Sequence, residues 1–324
     1  MKYLLINTAV CFLVFANAAF AALPEPEEKL PQCQLKIATA PKGKSYSEMY
    51  ADIKSVCGNK VAMCEIETKG GLENLNALSV NQADLGIVQL DTVYDMKNSD
   101  ENLAALQIVL PLHNSLLHIL TRMSGYTVEG EKKWGGLMKG TQTLHINKFS
   151  DLKGARVALV GSAQWLGPIL EQKFHYGMHF IDAETDEQAQ EMVKSGQAFA
   201  LFSMSGWPHQ KVVKLKHEND LTLVPFDLRL QFPYKVIKKN YPNLALFRHP
   251  FLAVPNVLMT RPFKLTGPNG KNVTALRNCI IEKLPELQEG AYWPGWKEIT
   301  SVNETFELPR FKADPSAPGN NKKM

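Results

Sequence analysis

A chain of 324 residues is long enough for two lobes of ordinary domain size. Its hydrophobic content of 45% and charged content of 21% are globular values and exclude a large disordered fraction. A net charge of +4 without a dense basic run excludes a surface built to track nucleic-acid phosphates.

The chain opens with a positive residue, Lys2, a mostly apolar run from Tyr3 to Phe15 and a small-x-small site at Ala19-Phe20-Ala21. This pattern predicts a secretory signal peptide over residues 1–21, cut after Ala21 or Ala22, and hence an exported protein. The apolar run is shorter than a bilayer needs, which argues against an anchor helix. Four cysteines follow the leader: Cys33, Cys57, Cys64 and Cys279. An even count in an exported chain favours disulfides, and four cysteines allow three connectivities. Cys57 and Cys64 flank a turn at Gly58-Asn59-Lys60, which favours that pair and leaves Cys33 with Cys279; free buried thiols are the alternative. No cysteine lies two to four residues from another, so metal spacing is not met.

Leu35 to Thr39 reads as the first strand, followed by a turn at Ala40-Pro41-Lys42-Gly43-Lys44. Ser45-Tyr46-Ser47-Glu48 has the S-x-x-E form of a capping box, and Met49, Ile53 and Val56 repeat at helical spacing up to Gly58. Val61 to Glu67 is the second strand and empties into Lys69-Gly70-Gly71, where two glycines permit positive φ and close approach of a ligand. Leu72, Leu75 and Leu78 give the next helix one apolar face, and Leu85 to Val88 reads as a strand buried on both sides. Strands over Leu103 to Leu110 and Leu116 to Thr121 come next, then a glycine-rich irregular insertion from Tyr126 to Phe149 that contains Trp134-Gly135-Gly136.

The strand–turn–helix pattern then recurs. Ala155 to Val160 is a strand, Gly161-Ser162-Ala163-Gln164-Trp165 a turn and Leu166 to Tyr176 a helix. Thr185-Asp186-Glu187-Gln188 is a second capping box, Ala198 to Met204 a strand, Ser205-Gly206-Trp207-Pro208 a turn and Leu221 to Val224 a last strand. Leu252 to Arg261 has strand character, Val273 to Leu284 is helical, and Asp314 to Met324 reads as a disordered tail. Two successive parallel α/β units with turns at strand ends predict two facing lobes, with ligand bound outside the carboxyl ends of the strands.

The ordered motifs resemble the TAXI branch of the tripartite (TRAP-type) transporter receptors. The resemblance rests on Gly70-Gly71-Leu72-Glu73-Asn74-Leu75 and Ala83-Asp84-Leu85-Gly86-Ile87-Val88-Gln89. It continues through Asp151-Leu152-Lys153-Gly154-Ala155-Arg156-Val157, Gly206-Trp207-Pro208 and Trp293-Pro294-Gly295-Trp296. The first turn here is poorer in glycine than the family's, Trp165 stands near a Thr position, and Trp293 replaces a late His. The resemblance implies an α/β, two-lobed type II periplasmic binding protein fold. Each lobe would be a mainly parallel sheet flanked by helices, with the ligand cleft between lobes. Lobe 1 is expected over 23–112 plus 250–312, lobe 2 over 113–249 and the tail over 313–324. The resemblance further implies a monomeric periplasmic receptor that binds an amino acid or dicarboxylate and hands it to integral membrane TRAP transporter subunits, with no cofactor.

For the cleft, Lys42, Lys44, Ser45 and Tyr46 form one anion-friendly turn at a helix N-terminus, although Ser45 as a plain cap with solvated lysines is the bland alternative. Gly70, Gly71 and Asn74 offer backbone and amide donors. Gln89 and Asp91 sit at a strand end facing the same cleft, where they would orient a ligand amine or hydroxyl, with an ordinary helix cap as the alternative for Asp91. Ser162, Gln164 and Trp165, with Gly206 and Trp207, are the opposing set, in which the tryptophans could equally be core. The histidines make no metal spacing and no Gly-x-Ser-x-Gly is present, which disfavours a zinc site or a serine hydrolase. A sensory adaptor is the alternative to uptake, and an exported enzyme on a similar fold is a further one.

Overall fold

The computed structural model describes residues 33–133 and 138–313. The predicted leader, Trp134-Gly135-Gly136 and the tail from Asp314 onward lie outside the described residues.

In chain order the first half holds β1 (Leu35–Ala38), α1 (Ser45–Cys57), β2 (Met63–Ile66), α2 (Gly71–Ser79), β3 (Leu85–Gln89), α3 (Leu90–Met96), α4 (Glu101–Ala104) and β4 (Gln107–Arg122). A ribbon of β5 (Tyr126–Lys133) and β6 (Met138–Leu144) follows, then β7 (Arg156–Val160), α5 (Ala163–Phe174), β8 (His179–Ala183), α6 (Asp186–Ser195), β9 (Ala200–Ser205) and α7 (Gln210–Val213). The chain closes with β10 (Leu221–Leu223), β11 (Lys235–Tyr241), β12 (Leu246–Thr260) and α8 (Pro268–Glu289).

The two-lobed arrangement expected of a type II binding protein is present. The strands run β2-β1-β3-β12-β4-β9-β7-β8, with β10 beside β4 and β11 beside β12. Within the first lobe β1 is parallel to β2 and β3; within the second, β7 is parallel to β8 and β9. The strands β4 and β12 run antiparallel to these neighbours and to each other. They also pass from one core to the other. Leu116 to Leu120 and Phe251 to Val254 belong to one buried cluster, whereas Ile108 to Leu112 and Val257 to Met259 pack with the elements before β4 and after β12. Between those segments the register shifts from Pro255↔Asn114 to Val257↔Pro111. Proline cannot donate to a ladder, so Pro111 and Pro255 loosen the pairing where the two lobes join.

Amphipathic spacing explains the helices. In α1 the buried Tyr46, Met49, Tyr50, Ile53 and Cys57 recur at intervals of three and four and form one face. Helix α6 forms half of the capping box read from sequence: Thr185 Oγ1 accepts from Gln188 N at 3.1 Å, while Gln188 Oε1 accepts from Glu184 N, one residue before the N-cap, at 2.8 Å. The first capping box does not form. Lys44 is the N-cap of α1 with no side-chain cap, and Ser45 is already helical.

Other expectations change for physical reasons. The two strands read on either side of residue 113 are one 16-residue strand, because Pro111 and Asn114 interrupt the apolar pattern without ending the ladder. The insertion after Tyr126 contains an antiparallel ribbon whose base, at Tyr126, Val128 and Leu144, packs against the core of the second lobe. Strand β11, rich in lysine with Val236 and Ile237 adjacent, lacks the alternation that marks a strand in sequence.

The disulfides are Cys33–Cys64 and Cys57–Cys279, not the pairing favoured from the turn at Gly58. Parallel pairing of β1 with β2 aligns Lys36 with Cys64, which brings Cys33 to a Cα separation of 5.6 Å. Cys57 instead faces inward from the last turn of α1 and meets α8, with Cys279 6.0 Å away between Cα atoms. This bridge spans 222 residues of sequence and joins the two ends of the first lobe. Replacing Cys57 and Cys279 together by serine should therefore lower stability by about 4–5 kcal/mol, read as a lower denaturant midpoint.

Candidate functional site

The carboxyl ends of all six parallel strands open on one cavity of about 450 Å³. Lobe 1 supplies Ala40, Pro41, Lys44, Ser45 and Tyr46 beyond β1, Lys69 and Gly70 beyond β2, and Gln89 at the end of β3. From lobe 2 come Val160, Gly161, Ser162 and Gln164 after β7, Ala183 and Glu184 after β8, and Ser203, Met204 and Ser205 on β9. Ser115 on β4 forms part of the wall where the lobes join.

Three helices of nine residues or more present N-termini here without a side-chain cap among the described residues: α1 at Lys44, α2 at Gly70 and α5 at Ser162. A first helical turn carries unpaired N–H groups and the positive end of the helix dipole. No side chain caps these termini, and at α5 the N–H groups of Gln164 and Trp165 donate instead to the carbonyls of Gly161 and Ser162, at 3.0 and 3.2 Å. Gly70 has φ +126°, a conformation open to glycine and strained for other residues, and a Cβ placed on it would stand 3.5 Å from Ser162 Oγ. The two lobes therefore meet at Gly70 and Ser162.

The structure brings Lys44, Ser45, Tyr46, Gly70, Gln89, Ser162 and Gln164 to this wall. It does not bring Lys42, Gly71, Asn74, Asp91, Trp165, Gly206 or Trp207 there. Lys42 points to solvent. Asn74 is fully buried and its donors are spent: Nδ2 donates to the carbonyls of Thr39 and Ile87, both at 2.7 Å, while Oδ1 accepts from the Thr68 hydroxyl at 2.6 Å. It ties together the chain after β1, the loop after β2 and strand β3, which shape the lobe 1 wall. Trp207 packs under the Lys239 ammonium, 4.7 Å from the ring centroid. Gly206 is a close approach: a Cβ there would stand 2.6 Å from Cζ2 of Trp293 and 3.3 Å from Cδ2 of His113. Gly206→Ala should cost about 1–2 kcal/mol, with most of that loss recovered when Trp293 is shortened to leucine.

Below the cavity a polar node fixes the crossover strands. Tyr46 Oη donates to Asn256 Oδ1 at 2.6 Å, and Asn256 Nδ2 donates to Ser115 Oγ at 2.9 Å and to the His113 carbonyl at 3.1 Å. Burial pushes the Tyr46 hydroxyl well above its ordinary pKa and His113 down to about 3, so both stay neutral across the physiological range.

A second cluster escaped the sequence reading. Lys44 Nζ of lobe 1 donates to Asp186 Oδ2 of lobe 2 at 2.9 Å. Ser203 Oγ donates to Asp186 Oδ1 at 2.6 Å and lies 3.1 Å from His209 Nε2. Burial alone would raise the Asp186 carboxyl, but the His209 ring, the Lys44 ammonium and the Ser203 hydroxyl together hold it well below the usual carboxylate range. Ser203 and Ser205 alternate at the carboxyl end of β9, a signal that strand periodicity could have supplied. Asp186 lies 142 residues from Lys44, and no local pattern links them.

Serine, histidine and aspartate together suggest a nucleophile relay, but the geometry is not one. His209 Nδ1 accepts from Lys211 N at 3.2 Å, which puts the imidazole proton on Nε2, facing Ser203 and Asp186. The Ser203 proton already goes to Asp186, and no acid holds Nδ1. His209 so arranged cannot take a proton from Ser203.

The NMT1-like family matches residues 37–248. The chain belongs to the NMT1-like family. That match runs from β1 into the β11–β12 hairpin and takes in every residue on the cavity wall. No curated protein matches the sequence of this family member. Among solved structures, a protein from Bordetella bronchiseptica RB50 is 15% identical with a TM-score of 0.49, over 81% of this chain and 76% of its own. An amino acid ABC transporter substrate-binding protein from Streptococcus pneumoniae, bound to L-arginine, is 11% identical with a TM-score of 0.47, over 78% of this chain and 89% of its own. The periplasmic VFT2 domain of Bordetella pertussis BvgS is 15% identical with a TM-score of 0.42, over 75% and 86%. Among the described residues no helix is long and apolar enough to cross a membrane, and no group of three His, Cys, Asp or Glu could hold a metal ion.

Proposed function

We propose that this chain is an exported solute-binding receptor that captures one small organic acid between its lobes. The observation that carries this reading is the convergence of three uncapped helix N-termini, from both lobes, on one cavity at the strand ends. Such N–H groups with the dipole behind them suit a carboxylate. A cavity of about 450 Å³ is at the small end of ligand sites and fits a metabolite, not a polymer.

The charges refine the class of ligand. Lys44 and Lys69 stand on the lobe 1 wall, while Glu184 lines the lobe 2 wall with Asp186 behind it. A positive jaw facing a negative one matches a zwitterion, so an amino acid fits better than the dicarboxylate also implied by resemblance. A ligand touching both jaws favours the closed arrangement by its differential affinity for it, with movement at the Pro111 and Pro255 crossover. Release to TRAP-type membrane subunits in the periplasm is the role that the TAXI resemblance suggests.

A thermal-shift screen of amino acids, dicarboxylates and aromatic acids tests the reading. Binding to the native state raises the melting temperature by mass action, so saturable stabilisation by one class is expected. A screen in which no carboxylate stabilises the protein while a chromogenic ester is hydrolysed would sink it.

A further inference from the structure

The Lys44–Asp186 pair joins the lobes through a group that stands on the cavity wall. Lys44 is the N-cap of α1 on lobe 1, and its side chain is 51% exposed. Asp186 opens α6 on lobe 2 and its side chain is 4% exposed. The carboxylate is prepared on its own side before lysine reaches it: Oδ1 accepts the Ser203 hydroxyl at 2.6 Å, and His209 Nε2 lies 3.6 Å away. Only Oδ2 faces across to the Lys44 ammonium, at 2.9 Å. A buried carboxylate with one oxygen held internally and the other turned toward a cleft is a seat for one ammonium group.

We infer that Lys44 is an internal competitor for that seat: its ε-ammonium latches the lobes together in the absence of ligand, and ligand capture exchanges it for the ammonium of the bound zwitterion. The second half of this inference rests on the receptor reading above; the latch itself does not. Two consequences follow from the arrangement. The released Lys44 ammonium, carried at the first turn of α1, lies next to the helix N-termini that suit the ligand carboxylate, so one exchange prepares both ends of the site. A ligand without an ammonium group leaves Lys44 on Asp186 and gains nothing from the seat, which makes the latch a filter against simple dicarboxylates.

Among the described residues, the other charged contacts between the lobes lie elsewhere. Lys239 pairs with Glu298, and Lys235 with Glu304 at 4.0 Å, and none of these four residues lines the cavity. Removing Lys44 therefore frees the cavity side alone and leaves these contacts in place.

Small-angle scattering and melting curves of the full mature chain, without added carboxylate, test the latch. Lys44→Ala, at a half-exposed side chain, should give a larger radius of gyration than the unsubstituted protein. Titrated n-propylammonium chloride should then return Lys44→Ala saturably to the smaller radius and raise its melting temperature, while equal sodium chloride does neither. The unsubstituted protein, whose seat its own lysine holds, should show no saturable response to the amine, and neither should Lys44→Ala combined with Asp186→Asn. An unchanged radius in Lys44→Ala, or an amine response of equal size in all three proteins, would overturn the inference. Failure of the receptor reading looks different, since no carboxylate would then stabilise any of these proteins although the amine response of Lys44→Ala persisted.

Discussion

Ser162→Trp abolishes ligand-induced stabilisation while leaving the unliganded protein folded. This is the largest effect expected of a single substitution. Ser162 is the N-cap of α5, yet its side chain makes no cap bond, so the helix loses nothing when it is replaced. The residue stands opposite Gly70, where a single added carbon would already lie 3.5 Å from its hydroxyl. An indole projecting from that position fills the gap between the jaws and covers the uncapped N-terminus of α2. We expect a loss of affinity of at least about 100-fold, or roughly 3 kcal/mol, seen as a missing thermal shift at saturating ligand. A shift of undiminished size in this variant would place the ligand outside the cavity.

Asp91→Asn stabilises the protein at alkaline pH, and the gain shrinks in acid. Burial pushes the Asp91 carboxyl up to about 6, against the bonds it accepts from the Thr92 backbone and hydroxyl and from Tyr234 Oη at 3.5 Å. An ordinary aspartate titrates at 3.8, so the folded state holds this proton over a range where the unfolded chain has released it. Ionising the buried carboxylate thus costs stability in full above about pH 6, and the cost fades as pH falls toward the unfolded value. A shift of roughly 2 pH units corresponds to about 3 kcal/mol at pH 8. An amide keeps the acceptor toward Thr92 and carries no charge to bury. Chemical denaturation at pH 8 and pH 4.5 should show Asp91→Asn more stable than the unsubstituted protein by about 3 kcal/mol at the first and by only about 1 kcal/mol at the second. Equal stability at both would mean that water reaches the carboxylate in the folded chain.

Much of the cleft was legible because strand ends and helix starts carry local signals. The turns after β1, β2 and β7 announced themselves by glycine, serine and lysine before an amphipathic run, and Lys44, Ser45, Gly70, Ser162 and Gln164 followed from position alone. What failed were inferences that need three dimensions. Position alone makes Asn74 a ligand donor, but its amide is committed to the carbonyls of Thr39, just after β1, and Ile87, within β3, which no spacing in sequence displays. Gly206 was read as part of the wall and is instead the flat spot on which Trp293 rests. The disulfides followed sheet register and the inward face of α1, and a plausible turn between Cys57 and Cys64 was the wrong guide. Asp186 was read as a helix-start residue, which it is; its second role depends on a lysine from the other lobe.

The two-jaw account makes both lobes necessary for a single ligand, and calorimetric titration addresses that most directly. For the compound that stabilises best in the thermal screen, one molecule per chain is predicted. Affinity should be lost both when lobe 1 is altered by Ser45→Leu, beside the N-cap of α1, and when lobe 2 is altered by Ser162→Trp. Binding that survives either substitution unchanged, or more than one equivalent bound at similar affinity, would contradict capture between the jaws.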